Sequence, residues 1–148
     1  MAIGANSYGS VSACEGLVKK YTASGSFTTA THPTLLQVEG YIDRISGIVN
    51  VLLAEQGYDI PVVDADGKLA LDEFVNQTAA ALCEAANSSG RFFSEKAAEV
   101  GVFPMIMQEA EAFVTQHAQG FEDLGAARSR HLATAWMGDK PIAIAEVA

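Results

Sequence analysis

The strongest periodic signal in the chain lies between residues 33 and 62, PTLLQVEGYIDRISGIVNVLLAEQGYDIPV. Leu35, Val38, Ile42, Ile45, Val49 and Leu52 follow one another at spacings of three and four, which aligns them as one stripe of a 3.6-residue helix, while Glu39, Asp43, Arg44 and Asn50 fall elsewhere. Thr34 reads as the N-cap and Gln37, three residues on, as its capping-box partner. Gly57 supplies the stop, being free to adopt a left-handed conformation. The pattern predicts an amphipathic helix over residues 34–56 and then an Ile-Pro-Val turn.

Weaker periodicities predict three more helices. Residues 10–21 place Val11, Cys14, Leu17 and Val18 on one face, with Ser12 and Glu15 as a capping box, after a flexible beginning. TASGSFTTATHPT is a surface loop anchored by Phe27. In VDADGKLALDEF, Asp66-Gly67 reads as a tight turn and Asp72 as the cap of a helix over 73–87. The small residues Thr78, Ala79, Ala80, Ala81, Ala85 and Ala86 suit close helix packing and put that helix at the bundle centre, with Phe74, Leu82 and Cys83 as its larger groups. A second long connection, with a helical turn over 95–100, leads to a last helix over 104–119. There Pro104 holds the first position, Ile106, Ala110, Phe113 and His117 form a stripe, and Met107 and Val114 broaden it.

The tail has a different character. ARSRHLATAWM suits a helix that Gly138 and Pro141 would end, and IAIAEV alternates like a strand. A lone strand has no partner in a helical chain, so the segment reads either as a frayed terminus or as an arm that adds itself to another subunit's sheet edge or groove. Trp136 is then either a staple onto the bundle or an anchor for a partner pocket. The expected fold is all-α: one domain with a core of about four helices over residues 1–124 and an extended docking arm over 125–148. Arg128, Arg130, Trp136, Lys140, Ile142 and Ile144 are the candidates for partner contact.

The residues Thr31, Pro33, Thr34, Leu35, Val38, Tyr41, Ile42, Ile45, Leu52, Gly57, Tyr58, Ile60, Pro61 and Val62 give the order small–Pro–Thr–Leu, long helix with a central Asp-Arg, then Gly-aromatic-x-Ile-Pro-Val. That order resembles the head-to-tail connector (adaptor) proteins of long-tailed double-stranded DNA bacteriophages, and the likeness continues more weakly through 71–86 and 105–121. The resemblance implies a structural virion protein without enzymatic activity. Its implied assembly is a homo-oligomeric ring, typically of twelve copies, between the portal and the next neck or tail-completion protein, lining a channel for passing DNA.

Length and charge are consistent with this and narrow the alternatives. A chain of 148 residues suits one domain. A formal charge of −9 opposes ordinary nucleic-acid binding, yet suits a conduit through which DNA slides without sticking. The tail from Gly125 carries Arg128, Arg130 and Lys140 against Asp139 and Glu146, a small positive balance. MAIGANSYGSV lacks the basic and apolar blocks of a signal peptide, and no apolar run is long enough to span a bilayer, so the expectation is a soluble intracellular protein or part of a particle assembled inside a cell, with no membrane partner; the resemblance implies the virion, assembled in the host cytoplasm.

Candidate chemistry is sparse. Asp64, Asp66, Gly67, Leu69 and Glu73 match five positions of a calcium loop, but Val62 at the leading position has no side-chain oxygen and Pro61 is unsuited to an entering helix, which leaves a plain Asp-Gly turn. His32, His117 and His131 form no ligand pair. Cys14 and Cys83 lie far apart in sequence and read as reduced thiols. No nucleophile elbow, phosphate loop or dinucleotide motif occurs, so no cofactor is expected. The alternative function is a small helical regulatory or ligand-binding protein that uses the space between its helices.

Overall fold

The computed structural model describes residues 3–87, 102–128, 134–137 and 140–143. Four α-helices build the bundle among these residues: α1 (Val11–Leu17), α2 (Leu35–Glu55), α3 (Ala65–Asn87) and α4 (Val102–Asp123). A 3-10 turn, Lys19–Tyr21, follows α1. α2 packs against the other three helices, and α3 also packs on α1 and α4. The all-α expectation holds, and the helical turn expected over 95–100 lies outside the described residues.

α2 forms where the stripe predicts it. Thr34 and Gln37 make the full capping box, and the buried positions are Val38, Ile42, Ile45, Ser46, Val49 and Leu53. The stripe ends on Leu53 instead of Leu52, because four residues after Val49 carries the face back over the core while Leu52 stays half-buried. At the C-terminus, Gly57 takes a φ of 86°, its N–H donates to the Ala54 carbonyl, and the Tyr58 N–H reaches back to Leu53. These two bonds are a Schellman motif, which satisfies carbonyls that would otherwise be orphaned. α4 ends the same way: Gly125 has φ 89°, its N–H donates to Glu122 and the Ala126 N–H to Phe121. The helix therefore runs through Gly120 and past the expected end at residue 119.

Three local expectations are corrected. Ser10, not Ser12, caps α1, accepting from the Ala13 N–H at 3.1 Å, and Glu15 instead accepts from the Phe27 N–H at 2.8 Å, which helps hold the buried anchor Phe27. The stretch read as a loop with an Asp-Gly turn is the beginning of α3. Asp64 caps it by accepting from the Gly67 N–H at 3.0 Å. Gly67 is there because a Cβ would lie 2.1 Å from the Asp64 carboxylate and 3.3 Å from the Phe121 ring, so its missing side chain makes room for the cap and for α4. Asp72 lies about two turns inside the helix and caps nothing. Its carboxylate accepts from the Gly9 N–H at 2.6 Å and from Lys68 Nζ at 2.7 Å.

Since residues 65–73 are helical, Asp64, Asp66 and Glu73 cannot wrap an ion as a calcium loop does. Millimolar calcium is expected to leave the melting temperature unchanged. A rise of several degrees with calcium but not magnesium would contradict this placement.

The beginning of the chain, expected to be flexible, is fixed between α2 and α3. Asp43 accepts from the Gly4 N–H at 2.9 Å and the Ser7 hydroxyl at 2.7 Å, and Asn50 Nδ2 donates to the Asn6 carbonyl at 2.8 Å. Ser46 accepts from the Tyr8 N–H at 3.0 Å, and Asn76 accepts from the Ser10 N–H at 2.9 Å. Asp43, Ser46 and Asn50 recur at helical spacing, so one edge of α2 presents a row of polar groups to the backbone of the opening segment, which itself turns at residues 5–6. Gly9 is required in that segment: its φ is +80° and a Cβ would stand 2.6 Å from Asn76 Oδ1.

Cys14 and Cys83 are both free and fully buried. Burial pushes the thiol of Cys14 up to about 11 and that of Cys83 up to about 12, so neither ionises near neutrality. Iodoacetamide at pH 8 is expected to leave both unmodified in the native protein and to modify both in guanidinium. Because an unfolded thiol loses its proton near 9 while the folded ones retain theirs, the unfolded chain binds fewer protons above that pH. Stability should fall as pH rises from about 9 through about 12.

Candidate docking surfaces

The root of the C-terminal arm is built by the two Schellman motifs lying side by side. Tyr58 follows Gly57, and its hydroxyl donates to the Ala118 carbonyl of α4 at 2.5 Å, while its ring meets Phe121 edge to face at 6.0 Å. The Asp59 N–H donates to the Ala127 carbonyl at 2.8 Å, and Tyr58 and Arg128 form an isolated antiparallel bridge. Arg128 lies over the Tyr58 ring, 5.1 Å from its centroid, and pairs with Glu122. Residues 125–128, placed in the arm by the sequence, are thus attached to the core, and Ala126 is buried.

Beyond that point the structure departs from the helix expected over ARSRHLATAWM. Strand β1 (Thr134–Met137) pairs antiparallel with β2 (Lys140–Ala143), with Trp136 opposite Pro141, Ala135 opposite Ile142 and Met137 opposite Lys140. Of the strand IAIAEV expected to lack a partner, Ile142 and Ala143 find one within the arm, and residues 144–147 lie outside the described residues. Met137 pairs with Lys140, so the paired ends stand at a two-residue hairpin spacing, where Gly138 and Pro141 were expected only to end a helix. Of the six candidate docking residues, Arg128 is held at the arm's root and Trp136, Lys140 and Ile142 belong to the hairpin. Arg130 and Ile144 lie outside the described residues.

A second surface was not singled out from the sequence. An open apolar groove of about 550 Å³ lies between the helices, lined by Tyr41, Arg44, Ile45, Gly47, Ile48 and Val51 of α2, Leu82 of α3, and Ile106 and Met107 of α4. Val51 is 59 % exposed there. Gly47 has no neighbour within 4 Å of where a Cβ would stand, so its absent side chain deepens the groove. Arg44 is exposed and makes no ion pair among the described residues. Ile48 and Val51 flanking the predicted stripe were the available signal, since they make α2 apolar more than halfway round.

His117, expected on the packing stripe, is exposed, with its ring against Phe113 at 4.9 Å between centroids. Phe113 in turn stacks on Phe74 of α3 at 4.5 Å. Ile106 and Ala110 of the expected stripe and the broadening Val114 are buried, joined by Met105 and Phe121. No group of three or more potential metal ligands occurs among the described residues, and no described helix is long and apolar enough to cross a membrane. Comparison with family models, with characterised proteins and with solved structures returned no match.

Proposed function

We propose that this protein is a structural component of a tailed-phage neck, assembling as a ring between the portal and the next neck or tail-completion protein. The observation that carries the reading is the use this fold makes of the residues in the connector-like pattern. Thr34 caps α2, Val38, Ile42 and Ile45 bury its face, Gly57 ends it, and Tyr58 and Val62 fix the following turn to α4 and to Tyr8. Those residues define one unit that closes the core and sets the point from which the arm departs. An arm rooted on a finished bundle is suited to holding another protein without disturbing its own fold. The acidic balance of the chain fits a conduit that does not retain DNA. The test is co-sedimentation with portal rings together with the native mass of the assembly. Attachment with a ring-sized mass is expected.

The groove between α2 and α4 favours a second reading, a helical protein that binds a small apolar ligand. A saturable complex with such a ligand, in a protein that never attaches to portal, would replace the neck reading with this one.

A further inference from the structure

We infer that the groove receives a second copy of this chain, in a head-to-tail contact whose other half is the opposite end of the bundle. The inference rests on the neck reading for its biological setting but on separate observations for its geometry. The groove is apolar, with one cation, Arg44, at its wall that makes no ion pair among the described residues, and with Val51 exposed within it. α3 begins and α4 ends where Gly67 meets Phe121, about four helical turns along α4 from the groove's Ile106. That end carries the exposed side chains of Val63, 78 % accessible, and Leu124, 48 % accessible.

The charge around Val63 and Leu124 is complementary to the groove. Asp59, Asp64, Asp66 and Asp123 belong to this end, while its cations Lys68 and Arg128 are paired with Asp72 and Glu122. An apolar tip among carboxylates fits an apolar recess whose wall bears a guanidinium: burial supplies affinity, and the charges fix which way round the copies meet. The two halves are different patches of one surface, so the contact is heterologous. Repetition gives a ring when the rotation closes, whereas a self-complementary patch would stop at a dimer.

Cross-linking between differently labelled copies tests this. A Val51→Cys chain is mixed with a Leu124→Cys chain under mild oxidation, both as concentrated free protein and bound to portal rings; the native thiols are buried and do not compete. The expected product is the mixed pair, in excess over either like pair. Gly47→Met fills the recess with open space around it and should reduce the mixed product about tenfold, and Arg44→Glu should reduce it by a similar factor, more at low salt. Like pairs through Val51→Cys alone, or no mixed product in either setting, overturn the contact. Portal attachment without the mixed product refutes this surface and leaves the neck reading standing. The mixed product without portal attachment supports the surface and refutes the neck.

Discussion

Tyr8→Ala is expected to bring the protein close to unfolding at room temperature, although the residue lies in a stretch that reads as a loose beginning. Its ring is 1 % exposed, and its hydroxyl accepts from the Val62 N–H at 3.0 Å, joining the start of the chain to the turn before α3. Truncation leaves a cavity of aromatic size, which costs about 3–5 kcal/mol, and an unpaired buried N–H, which costs about 1–3 kcal/mol more. Against a total stability of about 5–15 kcal/mol, the loss is decisive. Tyr8→Phe keeps the ring and should show only the smaller part. Guanidinium unfolding followed by circular dichroism separates the two. A Tyr8→Ala protein within about 1 kcal/mol of the parent would mean that α2 and α3 close without the segment threaded between them.

Two truncations should behave differently although they differ by four residues. Ending the chain after Arg128 retains the Tyr58 bridge, the Asp59–Ala127 hydrogen bond and buried Ala126, and the melting temperature should change by no more than about 2 °C. Ending it after Leu124 removes all of these, and both Schellman hydrogen bonds that close α4, at a cost of roughly 1–3 kcal/mol.

On the proposed function, both truncations lose attachment to the portal or the next ring, since an aromatic anchor such as Trp136 contributes roughly 2 kcal/mol or more to a desolvated contact. Arg128→Ala tests docking poorly, because its guanidinium is engaged with Glu122 and the Tyr58 ring. Arg130→Ala is the sharper substitution, and its effect should shrink as salt rises. Co-sedimentation and thermal unfolding of the two truncated chains distinguish an arm that docks from one that only completes the fold.

What the sequence by itself determined is local. The stripe of α2, its Thr34–Gln37 box and its Gly57 stop depend on groups within a few residues of one another, and such short-range hydrogen bonds and periodicities survive in almost any tertiary setting. The anchoring of Phe27 and the all-α class were legible for the same reason: apolar spacing reports which side a residue faces.

Tertiary structure decided what depends on partners far away in the chain. Asp72 had the composition of a cap, but Gly9, sixty-three residues earlier, claims its carboxylate. Gly67 had the composition of a turn, yet its use is the space it leaves for Phe121. The opening residues show no hydrophobic pattern because their attachment is polar, through Asp43, Ser46 and Asn50, and backbone groups carry no signature in sequence. The arm's root and the groove exist only once α2 and α4 lie side by side, so neither is a property of any one segment.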